Sequence, residues 1–311
     1  MAWNPPRSKS KKFFQKNQYT KIPLSVANFN VLNHSHLNKY TLFQENIEMS
    51  IQRYIYSIDI LLKKVNMYKI CAVSLSEVTP EYYDAFKFLL NFSIQKQDIK
   101  VFYDGKSLMT VFFNHDLIQV VTAEQVEIER DPERDRLQIF NLQLLFRNKH
   151  YPFTYINIHG YGLPEIREKY LYNTFVLIDQ LRHERLINND LLCAGDFNSE
   201  WDQVYKILEN VQNKNYLTDI SVLKDFRSTS YHRYILDEQG QFNDKPPQLW
   251  YSKLDHLLFT QRFQIVNSLI LPNNFNSYQH PYQIIDSIQY NGSWPSDHTL
   301  NIYNLIWLPS Q

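Results

Sequence analysis

The sequence predicts a layered α/β domain in which apolar strands alternate with amphipathic helices. Two observations support this prediction. Short apolar runs of strand length recur along the chain, and segments with apolar residues at every third or fourth position lie between several of them. Neither a repeat nor an internal linker interrupts this pattern, which is typical of α/β proteins. We therefore expect one continuous domain over residues 22–311.

The first part of the domain contains two helices between short strands. The run at Leu24–Leu32 predicts a buried strand, and a second strand is expected at Ile70–Leu75. A helix is predicted over Gln44–Val65, and Pro80 opens another over residues 80–94. The apolar face predicted for the first helix consists of Ile47, Ile51, Ile55, Ile58 and Leu62.

The rest of the chain is rich in strands. Asp104-Gly105 predicts a hairpin turn between the first two of them. A long helix is expected over Glu165–Arg185, and another is expected to begin at Trp201. The predicted strands are Val101–Tyr103, Leu108–Phe113, Ile118–Ile128, Leu137–Phe146, Tyr155–His159, Leu191–Ala194, Leu254–Thr260 and Asn301–Leu308.

Composition narrows the class of protein. Lys+Arg and Asp+Glu both number 32, so no global field attracts the chain to long duplexes or anionic membranes. No apolar run approaches the roughly 20 residues of a membrane helix, and the N-terminus lacks the apolar core of a secretory signal. Cys71 and Cys193 lie in apolar runs and are interpreted as buried thiols of a reducing compartment. We expect an intracellular protein, cytoplasmic in the first instance and nuclear as the alternative.

Residues 1–21 form a segment of different character. They carry six basic and no acidic side chains, without the periodicity that would bury a face. We expect a disordered basic tail, which either contacts RNA or acts as a nuclear address, or is simply solvated. The basic residues are Arg7, Lys9, Lys11, Lys12, Lys16 and Lys21.

Polar residues interrupt the apolar strands at or just after their ends. Such ends converge at one edge of the sheets, where ligand sites form. Carboxylates, amides and histidines suit magnesium-assisted phosphoryl chemistry, and no thiolate or HExxH pattern suggests zinc. Taken singly, each has an ordinary explanation, such as a helix cap or a core histidine. The residues are Asn30, Glu77, His159, Asp196, Asn198, Asp255, Asp297 and His298.

The order of these motifs resembles that of the endonuclease/exonuclease/phosphatase superfamily, which includes exonuclease III and DNase I. The resemblance covers about residues 24–308, and GDFNS and PSDH are its specific parts. FNVL, Arg53 in the following helix and YDGKSLMTVFFN further resemble the CCR4, nocturnin and Angel branch. The motifs are FNVLN at 29–33, LSEV at 75–78, NIHG at 157–160, GDFNS at 195–199, LDHLLF at 254–259 and PSDH at 295–298.

This resemblance implies a four-layered α/β sandwich with two packed mixed sheets flanked by helices. It implies Mg²⁺, with Mn²⁺ as a substitute, held by Glu77 and supported by Asn30 and Asp255. Asp196 would act as the general base, oriented by Asn198. His159 and His298 would contact the phosphate, and Asp297 would hold the imidazole of His298.

The implied activity is phosphodiester hydrolysis. The branch resemblance and the neutral charge favour a 3′–5′ exoribonuclease on single-stranded RNA, with no membrane partner. The alternatives are a phosphodiesterase on DNA or a small phosphoester, and an inactive binding module. Two departures from the family pattern bear on activity, namely Ser76 in place of Gln and Gly160 in place of Leu.

Overall fold

The computed structural model describes residues 20–33, 35, 46–93, 99–128, 136–225, 227, 229–234, 248–271 and 296–309, so nearly all of the predicted basic tail lies outside the described residues. The helices in these ranges are α1 (Ile47–Tyr68), α2 (Pro80–Ser93), α3 (Pro164–His183) and α4 (Trp201–Gln212). The strands are β1 (Ile22–Asn30), β2 (Ala72–Ser76), β3 (Lys100–Tyr103), β4 (Met109–Phe112), β5 (Gln119–Gln125), β6 (Leu137–Phe146), β7 (Lys149–His159), β8 (Leu191–Asp196), β9 (Ile220–Val222), β10 (Ser230–Tyr234), β11 (Gln248–Ser252), β12 (Asp255–Thr260), β13 (Phe263–Leu271) and β14 (Leu300–Trp307).

The strands form two six-stranded mixed sheets and one separate pair. Sheet A has the order β13-β14-β1-β2-β4-β3, and sheet B has the order β5-β6-β7-β8-β12-β9. Each contains one parallel pair at its centre, β1 with β2 in sheet A and β7 with β8 in sheet B, and antiparallel neighbours elsewhere. Strands β10 and β11 form a separate antiparallel pair, and Ser230 of β10 also makes an isolated bridge to His298.

Apolar side chains fill three spaces between four layers. One cluster joins sheet A to α1 and α2, a second joins sheet B to α3 and α4, and a third lies between the two sheets. This arrangement confirms the predicted four-layered sandwich of two mixed sheets flanked by helices. Across the described ranges, none of the helices combines the length and apolarity needed to span a membrane.

Local sequence signals set the helix ends. Asn46 caps α1 by accepting a hydrogen bond from the backbone N–H of Met49 at 2.9 Å, and Lys69 ends it in the left-handed conformation at φ 53°. Pro80 occupies the first position of α2, where its missing N–H is tolerated, and the Thr79 hydroxyl accepts from the backbone of Tyr82.

Two of the five residues predicted for the apolar face of α1 are buried. Ile58 and Leu62 are buried, but Ile47, Ile51 and Ile55 are 48%, 36% and 42% exposed. Relative to the predicted face, the face that contacts sheet A is rotated around the helix and includes polar residues. Hydropathy alone does not select such a face. Its buried members are Ser50, Arg53, Tyr54, Ser57, Ile58, Leu61, Leu62 and Val65.

Most predicted strands are confirmed, with ends shifted by a few residues, and Leu137–Phe146 is confirmed as predicted. The strand ending at His159 begins at Lys149 instead of Tyr155, because it pairs with β6 along its whole length. Strands β9, β10, β11 and β13 were not predicted. Strand β13 was not recognised because polar residues at its exposed positions, such as Gln264 and Asn267, interrupt the apolar run.

The register of the strands brings their polar ends together. Asn30 lies opposite Ser76 in the parallel pair of sheet A. In sheet B, Asp196 lies opposite both His159 and Asp255. The ends of five strands therefore meet at one edge of the two packed sheets, as the sequence predicted.

Candidate active site

Asp196 is the centre of the polar cluster at this edge. Its carboxylate is buried, with Oδ2 accepting a hydrogen bond from Nδ2 of Asn30 at 3.0 Å. The imidazoles of His159 and His298 approach the same oxygen, their Nε2 atoms lying 3.9 and 3.8 Å from it. The other oxygen accepts from the backbone N–H of Asn198 at 2.8 Å. The main chain of Asn198 thus fixes this oxygen of Asp196.

Glu77 forms the more exposed side of the cluster. Its Oε1 accepts from Nδ2 of Asn30 at 2.9 Å, and its Oε2 accepts from the backbone N–H of Asn33 at 3.0 Å. Glu77 and Leu32 both have positive φ, 59° and 58°. Non-glycine residues in this region are strained and concentrate at functional sites. The carbonyl Oδ1 of Asn30 accepts from Leu32 N–H at 3.0 Å, so Asn30 supports the two carboxylates with its amino group.

Asp255 connects sheet A to His298. Its Oδ1 accepts from Nδ2 of Asn28 at 2.7 Å, and its Oδ2 lies 2.9 Å from Nδ1 of His298. The carboxylate that holds the imidazole is therefore Asp255, whereas the sequence predicted Asp297. Asp297 is partly exposed and adjacent in sequence to His298, but it is Asp255 whose Oδ2 lies within hydrogen-bond distance of Nδ1. Adjacency in the chain did not reveal the partner.

Burial and opposite charges set the protonation of this group. Removal from water, with the nearby charge of Asp255, raises the pKa of Asp196 to about 7 against the opposing effect of His298. Burial alone would lower the pKa of His298, but the carboxylates of Asp255 and Asp196 reverse this and hold it well above its ordinary value. The arrangement therefore favours an imidazolium at His298 and leaves Asp196 able to exchange a proton near neutrality.

Gly160 explains one departure from the family pattern. A Cβ at this position would lie 2.1 Å from the carbonyl oxygen of Phe197, so no side chain fits this backbone. The Gly160 carbonyl accepts hydrogen bonds from Nδ2 of Asn198 at 3.0 Å and from Nη1 of Arg136 at 2.9 Å. The glycine thus lets β7 and the Asn198 turn pack together. The other departure, Ser76, is buried at the end of β2.

Two supporting residues were missed from the sequence. Asn28 holds Asp255, and Ser296 joins two parts of the site. The Ser296 hydroxyl donates to the backbone carbonyl of Asn30 at 2.7 Å and accepts from the backbone N–H of His298 at 3.1 Å. The alternation of a β-strand was a usable signal for Asn28, because it places Asn28 and Asn30 on the same face.

Comparison with solved structures identifies the fold. Over 93% of its length the chain superposes on 99% of an endonuclease/exonuclease/phosphatase family protein from Bacteroides thetaiotaomicron, with a TM-score of 0.59 and 13% identity. The chain has the endonuclease/exonuclease/phosphatase fold. No family model and no curated protein matches its sequence.

Two further structures of this fold belong to the branch named from the sequence. ANGEL2, a 2′,3′-cyclic phosphatase solved with adenosine-2′,3′-vanadate, matches with a TM-score of 0.60 and 14% identity, over 93% of this chain and 97% of that chain. The human nocturnin catalytic domain, solved with a bound sulfate anion, matches with a TM-score of 0.54 and 15% identity, over 92% and 96%. The predicted resemblance is confirmed at the level of the fold.

The donor set fits the divalent ion that the endonuclease/exonuclease/phosphatase fold implies. Asp196, Asp255 and His298 offer ligand atoms within 4.8 Å of one another, and the partly exposed Glu77 adds a third carboxylate beside them. The carboxylate oxygens among them are hard ligands of the kind that suits Mg²⁺ or Mn²⁺. The charge of such an ion would offset the proximity of the three carboxylates, which otherwise repel one another.

Proposed function

We propose that the chain is a divalent-metal-dependent phosphodiesterase that removes nucleotides from the 3′ end of single-stranded RNA. The observation that carries this proposal is the position of Asp196, a buried carboxylate with one oxygen fixed by the Asn198 backbone and the other facing two imidazoles. A carboxylate positioned in this way, with a pKa raised to about 7, suits a general base at neutral pH.

Glu77 would hold the ion, with Asn30 and Asp255 supporting it. A bound Mg²⁺ supplies neutralisation of charge on the phosphoryl oxygens. The two hydrogen bonds that Glu77 accepts, from Asn30 and from the backbone of Asn33, fix its carboxylate in one orientation. Hydrogen bonds that orient a metal-ligating side chain contribute to metal affinity, in addition to the ligand itself.

In the proposed reaction, a water molecule attacks phosphorus from the side opposite the leaving oxygen of the ester bond. Asp196 takes the proton from this water as the new P–O bond forms. The bond to the leaving oxygen breaks, and that oxygen takes up a proton from solvent. His159 and His298 donate hydrogen bonds to phosphoryl oxygens, where negative charge increases in the transition state. Asp255, hydrogen-bonded to Nδ1 of His298, keeps Nε2 of that ring directed toward the site.

Two observations support a nucleic-acid end as the substrate. ANGEL2, which shares the fold, was solved with an adenosine-based vanadate. The formal net charge of this chain is zero, which disfavours extended duplex binding. All of the predicted site residues are present and most are brought into contact, which supports an enzyme over an inactive binding module.

The test is degradation of 5′-labelled single-stranded RNA ending in a poly(A) tract, with Mg²⁺, by the wild-type chain and by Asp196→Asn. Asp202→Asn, which changes an exposed carboxylate on α4, is the matched control. The proposal requires a ladder that shortens from the 3′ end in the wild type and the control and disappears in Asp196→Asn. Cleavage of DNA or a small phosphodiester, but not of RNA, would reject RNA as the substrate while supporting phosphodiester hydrolysis.

A further inference from the structure

Arg136 is a cation beside the candidate active site that the reaction described above does not use. It directly precedes β6, and the register Leu137 opposite Ile158 places it next to His159. The backbone N–H of His159 donates to the Arg136 carbonyl at 3.0 Å, which confirms this placement. Neighbouring strands lie about 5 Å apart, so the arginine emerges from the sheet beside a histidine expected to contact phosphate.

Two contacts hold the guanidinium of Arg136. Its Nη1 donates to the carbonyl of Gly160 at 2.9 Å, and its central carbon lies 4.5 Å from the ring centroid of Tyr161. The Tyr161 ring is itself packed edge-on against Tyr170, whose hydroxyl donates to the Arg136 carbonyl at 2.8 Å. Because the ring and the carbonyl fix the planar group, less conformational entropy is lost when its remaining donors bind a ligand.

Within the described ranges, the contacts of the Arg136 guanidinium are the hydrogen bond to Gly160 and the stacking on Tyr161. No carboxylate in the described ranges pairs with this guanidinium, and its side chain is partly exposed. Arg182, by contrast, is also partly buried but forms a two-bond pair with Asp219. An arginine held beside an active site with free N–H groups is suited to a planar, two-bond contact with a phosphate.

Gly160 connects this arginine to the reacting centre. Its carbonyl accepts from both Arg136 and the side chain of Asn198, so the two donors are neighbours around one oxygen. Asn198 in turn orients Asp196 through its backbone. The guanidinium is therefore fixed relative to the carboxylate that would take the proton.

We propose that Arg136, held by Gly160 and Tyr161, binds a second phosphate of the substrate, next to the one that is cleaved. The inference rests on the proposed function and narrows its substrate class to chains with at least two phosphates in succession. A diester with a single phosphate would lack this contact. Arg136 would then help to select nucleotide chains over small phosphodiesters.

The test is binding of a short fluorescein-labelled oligoadenylate RNA by fluorescence anisotropy, across a series of salt concentrations. All proteins carry Asp196→Asn, so that the RNA survives. Arg136→Met is expected to raise Kd about tenfold and to reduce the slope of log K against log salt by about 0.7, the value for one phosphate contact on a single strand. Arg136→Lys keeps the charge without the planar fork and is expected to raise Kd about threefold.

Arg147→Met is the matched control, because Arg147 lies over the Phe146 ring at the opposite end of the same strand pair. It removes the same charge and is expected to change neither Kd nor slope. Equal effects of Arg136→Met and Arg147→Met would overturn the inference, as would a slope unchanged by Arg136→Met. Hydrolysis of RNA by the wild-type chain is measured separately, so failure of the proposed function and failure of this contact are distinguished.

Discussion

Asp255 holds Nδ1 of His298 at 2.9 Å within the buried part of the site. This contact joins the first residue of β12 to the segment that precedes β14, and therefore links the two sheets. The Asn28 side chain fixes the other Asp255 oxygen at 2.7 Å, so the carboxylate has little freedom to turn.

The first prediction separates Asp255 from Asp297. Asp255→Asn is expected to lower kcat about 10²- to 10³-fold, because the imidazole loses the carboxylate that orients it and stabilises its charge. Asp297→Asn is expected to lower kcat by less than about tenfold, since Nδ1 of His298 is already bonded to Asp255. The measurement is kcat on a phosphodiester substrate for both variants. The reverse order of effects would restore Asp297 as the orienting residue.

The second prediction concerns the packing of Gly160. Gly160→Ala is expected to destabilise the protein by about 2 kcal/mol or more, because its Cβ would meet the Phe197 carbonyl oxygen at 2.1 Å. Gly162→Ala, with no atom within 4 Å of the added carbon, is the control and should have little effect. Denaturant unfolding of both variants gives the comparison. Equal stability of the two variants would show that the β7 end does not need a glycine.

The third prediction concerns Glu77 and the ion. A ligand that binds only the folded state stabilises it by about 2.7 kcal/mol at a hundred times its Kd. Mg²⁺ or Mn²⁺ should therefore raise the melting temperature of the wild type by several degrees, and Glu77→Gln should abolish the increase. Glu81→Gln, in the first turn of α2, should retain it. If the metal still raises the melting temperature of Glu77→Gln, the ion binds at a site that does not depend on this carboxylate.

The fourth prediction concerns stability against pH. His256 is buried, with Nε2 2.7 Å from the carbonyl of Ser199 and its ring edge-on to Phe197. Burial lowers its pKa to about 4, so the unfolded chain binds the proton more readily. Stability is therefore full above about pH 6.5 and decreases toward pH 4, by roughly 2 kcal/mol at pH 5.

His256→Phe tests this assignment, because phenylalanine cannot titrate. The difference in unfolding free energy between pH 7.5 and pH 5 should be smaller in the variant by roughly 2 kcal/mol. An unchanged difference would assign the acid sensitivity to other groups, such as the paired carboxylates of the site.

The sequence predicted the architecture well because most apolar runs and periodic apolar positions correspond to strands and helices that pack in layers. The three-residue strand β9 and the separate pair β10–β11 are too short, or too polar, to stand out from the surrounding loops. The α1 face was misplaced because Arg53, a charged residue, is buried with its Nη1 donating to the Val31 carbonyl. Hydropathy assigns such a residue to solvent.

The candidate site residues were found through motif order, and the structure adds their partners. Adjacency in the chain does not reveal side-chain partners. The sequence therefore assigned Asp297 to His298, whereas the folded chain brings Asp255 to it. Arg136 was missed because it directly precedes a strand and forms no part of a motif. Its proximity to His159 depends on the β6–β7 register, which the sequence leaves open by several residues.

Metal-dependent phosphodiester cleavage is tested by hydrolysis of bis(4-nitrophenyl) phosphate by the purified full chain, with Mg²⁺, with Mn²⁺ and with chelator. We expect metal-dependent release of 4-nitrophenol by the wild type, reduced about 10²- to 10⁴-fold in Asp196→Asn because the general base is lost. Hydrolysis that persists in Asp196→Asn, or that is unaffected by the chelator, would contradict the proposed function.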